Sequence, residues 1–132
     1  MKQILAYVLI IALLVLLSCS KVSSDAVELR VDFTWEGLVP CGVGGHPEIR
    51  VSGIPDETKV LVVKLYDHGL SHGKQSLFYD GSGIIQKGTL DKIESPCPMG
   101  DPGRYRFKIE AVNENKVVIG IGSKERYFPE DK

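Results

Sequence analysis

Two stretches of this chain alternate apolar and polar residues without interruption, and that period of two makes the half-buried β-strand its building unit. In VELRVDFTW, Val27, Leu29, Val31, Phe33 and Trp35 share one side, with Glu28, Arg30, Asp32 and Thr34 on the other. From Arg104 to Val112, Tyr105, Phe107, Ile109 and Ala111 point inward, and Arg104, Arg106, Lys108 and Glu110 outward. Between them, KVLVVKLY (59–66) is apolar at nearly every position and predicts a central strand covered on both faces. Shorter strands are expected at 48–52, 76–79, 84–87 and 116–121.

The breaks are equally legible. Residues 36–47, EGLVPCGVGGHP, form a loop by their glycine and proline content, and GIPDET (53–58) is a turn. DHGLSHGKQ (67–75) has no period and reads as an exposed loop carrying two of the three histidines. Asp80-Gly81-Ser82-Gly83 is expected to be a hairpin turn, and the prolines of SPCPMGDPG (95–103) keep it out of any regular element. No helical period outlasts a turn or two beyond residue 20. A chain of 132 residues holds one domain; about seven short strands predict an all-β fold, a small antiparallel β-sandwich over residues 27–132.

The first residues have another role. MKQILAYVLIIALLVLLSCS places Lys2 near the initiator amine and then runs uncharged from Ile4 to Leu17. A helix of that length would rise about 21 Å, short of the roughly 30 Å of a hydrocarbon core, and no basic stop-transfer cluster follows. Residues 1–18 are therefore expected to be a signal peptide. Leu16-Leu17-Ser18-Cys19 resembles the bacterial lipobox, which implies acylation of the Cys19 thiol and cleavage before it. Two or more acyl chains anchor a protein stably, so the expected home is the bacterial cell envelope. Ser20 in place of Asp after the lipidated Cys implies the periplasmic face of the outer membrane. The small polar run SKVSSDA (20–26) is expected to be a flexible tether between Cys19 and the domain.

With Cys19 assigned to lipid, Cys41 and Cys97 remain as an even pair in an oxidising compartment and are expected to form a disulfide. Closing a loop of about 57 residues would contribute roughly 4 kcal/mol on chain entropy alone. Metal ligation is the weaker reading, because neither Cys lies in a CxxC pair and no His stands at finger spacing.

Chemistry is sparse. The 16 Lys+Arg against 17 Asp+Glu give a net charge of −1 and no basis for a nucleic-acid partner. His68 and His72 are four apart, but Gly69, Ser71 and Gly73 oppose the helix that would bring their imidazoles onto one face; a solvated loop is expected. His46 reads as a surface residue in a glycine-rich loop. No Ser sits in a GxSxG context, and CGVGG (41–45) lacks the GK[ST] ending of a phosphate loop. No catalytic residue, metal or cofactor is expected, and the chain is read as a non-enzyme. The aromatic residues Phe33, Trp35, Tyr66, Tyr105 and Phe107 are assigned to the core.

Two segments together resemble the phosphatidylethanolamine-binding protein family, including its bacterial Raf-kinase-inhibitor-like members. VSGIPDETKVLVVKLYD (51–67) is similar to a stretch in which a Gly-x-Pro turn and a Thr-Lys lead into a hydrophobic strand ending in Asp. SPCPMGDPGRYRFKIEAVN (95–113) is similar to a Gly-Pro-Cys-Pro-Pro loop followed by Gly-x-His-Arg-Tyr and an alternating strand. The resemblance implies a β-sandwich with a small anion pocket at one end. It matches Asp67 to the first Asp of the family's Asp-Pro-Asp-Ala-Pro motif, and Pro96, Cys97, Arg104 and Tyr105 to the second motif. Departures are equally specific. His68-Gly69 replaces Pro-Asp, the family's His-Trp element is absent, and Gly103 stands where a pocket His is expected, so the pocket is expected to be degenerate.

The chain is thus read as a noncatalytic envelope lipoprotein, anchored in the membrane by lipid. Its β-sandwich would bind a protein partner or small ligand through the loops at 67–75 and 95–104. The alternative is a degenerate phosphatidylethanolamine-binding-like pocket that takes a small anion or lipid headgroup. The candidate ligand-binding residues are Asp67, His68, His72, Arg104 and Tyr105.

Overall fold

Strands form near the expected places, longer than expected at Thr58–Asp67, Leu70–Phe78, Gly103–Asn113 and Val117–Phe128 and shorter at Arg30–Phe33 and Ile84–Ile85. The computed structural model describes residues 3–4, 21–39, 41–42, 45–98 and 102–129. Among these the chain forms β1 (Lys21–Glu28), β2 (Arg30–Phe33), β3 (Ile49–Ser52), β4 (Thr58–Asp67), β5 (Leu70–Phe78), β6 (Ile84–Ile85), β7 (Gly103–Asn113) and β8 (Val117–Phe128). A five-stranded sheet in the order β1-β8-β7-β4-β5 packs on a three-stranded sheet in the order β2-β3-β6. The pairs are antiparallel except β1 with β8. This is the expected all-β sandwich. Among the described residues no helix is long and apolar enough to cross a membrane; the signal peptide and Cys19 lie outside them, apart from residues 3–4.

The inward residues of β2 with its two flanking positions, and of β7, build the core. Leu29, Val31, Phe33 and Trp35 are buried, as are Tyr105, Phe107, Ile109 and Ala111. Phe33 meets Phe107 edge-on at 4.9 Å, and Trp35 lies 4.8 Å from Phe128 and 5.8 Å from Tyr105, centroid to centroid. Such edge and tilted contacts add to the area these rings remove from water. Tyr66, expected in this core, instead sits half-buried on the outer face of the large sheet.

Val27, the first member of the expected alternation, is 44% exposed. The cause is a sheet switch: the chain leaves β8's side and enters the small sheet at Leu29, whose N–H donates to the Ile121 carbonyl at 2.9 Å. A Cβ on Gly122 would lie 2.2 Å from the Leu29 carbonyl oxygen, and one on Gly120 2.8 Å from Leu29 Cδ2. Glycine at both positions allows the crossing.

Four expectations are corrected. The tether over 20–26 is in its described part a strand: Lys21–Glu28 lies parallel to β8, mostly exposed, and is held by backbone pairing rather than by an apolar face. β4 is central but buried on one face only, its other side half-exposed, because no second layer covers the outer side of the large sheet among the described residues. Residues 80–83 do not close a hairpin. They carry the chain from β5 to β6 in the opposite sheet, with Ser82 N and Oγ both donating to Asp80 Oδ1 and the Gly83 carbonyl accepting from Val51 N at 2.8 Å. Residues 67–75 are not a loop but a tight turn and most of β5.

Cys41 and Cys97 are joined, with Cα atoms 4.4 Å apart, and Cys41 N–H donates to the Pro96 carbonyl at 3.0 Å. The irregular segment before β7 is thereby tied to the long loop after β2.

Candidate functional site

The end of the large sheet where β4 turns into β5 gathers most of the candidate residues. Asp67 pairs with Leu70 across the turn and with Tyr105 across β7. Between Asp67 and Leu70, His68 and Gly69 both have positive φ, 49° and 84°. That pattern makes a two-residue type I′ turn, whose twist suits an antiparallel hairpin. His68 N–H donates to the Arg104 carbonyl at 3.2 Å, fixing the turn against β7. The signal was in the sequence: Asp-His-Gly between two strand-forming runs is a hairpin turn once the second run is recognised.

At this end of the sheet, on the face toward the small sheet, lies a partly exposed cluster around His72. Its Nε2 is 3.9 Å from Asp67 Oδ2, its Nδ1 3.6 Å from Glu94 Oε2, and its ring 5.9 Å from that of Tyr105. Glu94 N–H donates to the His72 carbonyl at 3.0 Å, so the segment before residue 95 lies along β5. His68 Nδ1 sits 2.5 Å from Asp67 Oδ1. Tyr105 is buried, and burial pushes its phenol pKa up, the Asp67 carboxylate adding to the effect; the Cys97 backbone, hydrogen-bonding the phenol, works the other way. The hydroxyl stays neutral throughout the physiological range.

Arg104 is not part of this cluster. Its side chain leaves the opposite face of the sheet and pairs with Glu125 at 3.4 Å. There it lines an open groove with Tyr66, His68, Gly69, Arg106 and Glu125. The candidate set is therefore split: Asp67, His72 and Tyr105 inside, Arg104 outside, and His68 at the edge between them. Glu94 approaches His72 from an exposed position, and no motif would have singled it out.

Gly103 explains what became of the expected pocket histidine. A Cβ there would lie 2.5 Å from Tyr105 Cε2 and 3.1 Å from its hydroxyl oxygen. The Tyr105 ring lies across the glycine, so this backbone position has no room for a donor side chain.

His46 is corrected from surface to core. It is 3% exposed, its Nε2–H donates to the Ile93 carbonyl at 2.8 Å, and its ring meets Phe107 at 6.1 Å. Burial pushes its pKa below the ordinary imidazole value, the Ile93 hydrogen bond opposing. A glycine-rich neighbourhood hides such a residue, since nothing in GGHPE shows that the loop folds back over the core. Among the described residues no group of three or more His, Cys, Asp or Glu could hold a metal ion.

No protein-family model matches the sequence, and no curated protein does. A solved structure does: that of a candidate phosphatidylethanolamine-binding protein homologue from Chlamydia trachomatis, 20% identical, with a TM-score of 0.57 over 82% of this chain and 100% of that one. The chain has a phosphatidylethanolamine-binding-like fold. In this phosphatidylethanolamine-binding-like sandwich the two segments that carry the sequence resemblance become β4 and β7, which pair from Thr58 opposite Asn113 to Asp67 opposite Tyr105.

Proposed function

We propose that the chain is a noncatalytic lipoprotein of the bacterial envelope whose sandwich binds a protein partner or small ligand with one end. The observation that carries this reading is the meeting of the two expected binding segments. The β4–β5 turn hydrogen-bonds to Arg104, and Glu94, next to the disulfide-tied segment at 95–97, hydrogen-bonds to His72. Side chains of opposite charge and an exposed Leu70, 73% accessible, thus crowd a rigid rim, the usual place for recognition on a sandwich. A headgroup pocket at the family's position is the weaker reading, because the Tyr105 ring covers Gly103.

Two measurements test the proposal. Palmitate labelling in a bacterial host should vanish in Cys19→Ala and membrane partition should vanish with it; labelling that survives removes the anchor. A photo-crosslinking amino acid at Leu70 should give a discrete adduct in intact cells, while one at Asn115, in the turn joining β7 to β8 at the other end, should give none. Equal labelling at both positions overturns the assignment of the binding end.

A further inference from the structure

The outer face of the large sheet carries chemistry that the inner cluster does not use. Arg104 and Arg106 are two apart on β7 and so leave the same face, their Cα atoms about 7 Å apart. With Tyr66, the His68-Gly69 turn and Glu125 they line a groove of about 250 Å³. The Arg106 guanidinium carbon sits 5.0 Å from the Tyr66 ring centroid. Stacking of this kind holds the guanidinium in place while leaving its edge N–H donors free to meet an oxyanion. Glu125 lies opposite Arg106 in the ladder yet pairs with Arg104; among the described residues Arg106 has no ion pair.

We propose that this groove binds the oxyanion group, carboxylate or phosphate, of a small acidic ligand between Arg104 and Arg106. The Glu125 carboxylate already occupies one of the two guanidiniums. Its pair with Arg104 is 47% and 44% exposed, and exposed pairs of this kind are weak enough for a better acceptor to displace. A fork-shaped donor pair suits a group with several acceptor oxygens, which can meet both arginines at once. The chain as a whole has a net charge of −1, so this local excess of guanidinium is a property of the site rather than of the surface at large. The inference shares the β4–β5 turn with the partner-binding rim, but it concerns the outer face of the sheet and needs neither the lipid anchor nor the His72 cluster.

The test uses the full chain in a neutral detergent at low ionic strength, titrated separately with inorganic phosphate and with succinate. The readout is the NMR resonances of the arginine side chains and of the Gly69 amide. A saturable shift with one or both anions, absent with chloride at matched ionic strength, is the expected result; which anion binds assigns the class. Arg106→Gln should weaken binding about tenfold or more. Glu125→Gln, which removes the competing carboxylate, should tighten it several-fold. Glu48→Gln, in the loop just before β3, should change nothing. The proposal is overturned if neither anion saturates, if Arg106→Gln with an unchanged melting temperature binds as the parent does, or if Glu125→Gln fails to tighten binding. Should Arg106→Gln lower the melting temperature, Arg104→Gln and Glu125→Gln decide by their opposite effects.

Discussion

Tyr105 lies across the backbone of Gly103, two residues earlier on its own strand, closely enough that a methyl group on Gly103 would stand 2.5 Å from the ring. Gly103→Ala should therefore destabilise the fold by about 1–3 kcal/mol, the usual cost of overpacking a filled site. In a Tyr105→Leu background the same change should cost less than half as much, because the clash has gone. Urea unfolding of the four proteins of that cycle measures the coupling; additive effects would show that the ring and the glycine do not interact.

The core of this sandwich was legible because its residues repeat with the strand. Leu29, Val31, Phe33 and Trp35, and Tyr105, Phe107, Ile109 and Ala111, alternate with polar residues in the sequence and are buried. Connections were the harder part. Nothing in Asp80-Gly81-Ser82-Gly83 distinguishes a hairpin from a passage between sheets, since both need glycines at positive φ; pairing decides, and Ile85 pairs with Ile49 rather than with β5. The site was half legible for the same reason. Alternation places Arg104 and Tyr105 on opposite faces of one strand, so no single pocket of the kind expected can hold both. Asp67 and His72 meet only because a β-bulge falls between Lys64 and Tyr66 in the β4–β5 pairing, and a shift of this sort leaves no mark in composition.

The disulfide offers a second measurement. Cys41 and Cys97 are 56 residues apart in sequence and tie two irregular segments to each other. Replacing both with Ser should lower stability by about 2–5 kcal/mol. The loss should appear in the midpoint of urea unfolding, and reduction of the parent protein should reproduce it. A double Ser variant as stable as the parent would show that the loops hold without the bond.

Burial of His46 makes stability depend on pH. Its pKa is pushed down in the folded protein, so below the ordinary imidazole value of about 6.5 the unfolded chain takes up a proton that the folded one resists. The contribution is fully present above that value and falls away as pH drops toward the lower folded pKa. The melting temperature should decline as pH falls below about 6.5, beyond the decline carried by carboxylates at lower pH. His46→Gln, which keeps a donor for the Ile93 carbonyl, should flatten the profile in that window. An unchanged slope would place the titration elsewhere.

The crossing at Leu29 depends on the two glycines of β8. A Cβ at Gly122 would come within 2.2 Å of the Leu29 carbonyl oxygen, a backbone atom that cannot swing away, whereas at Gly120 the nearest atom is the side-chain Leu29 Cδ2 at 2.8 Å. Gly120→Ala should thus cost about 1–2 kcal/mol as Leu29 repacks. Gly122→Ala should cost more, because the strand itself must move and the bond from Leu29 N–H to the Ile121 carbonyl moves with it. Hydrogen exchange separates the two. In Gly122→Ala the Leu29 amide should lose protection, while in Gly120→Ala it should keep it; equal protection in both would mean that the crossing chain does not lie against β8 at Leu29.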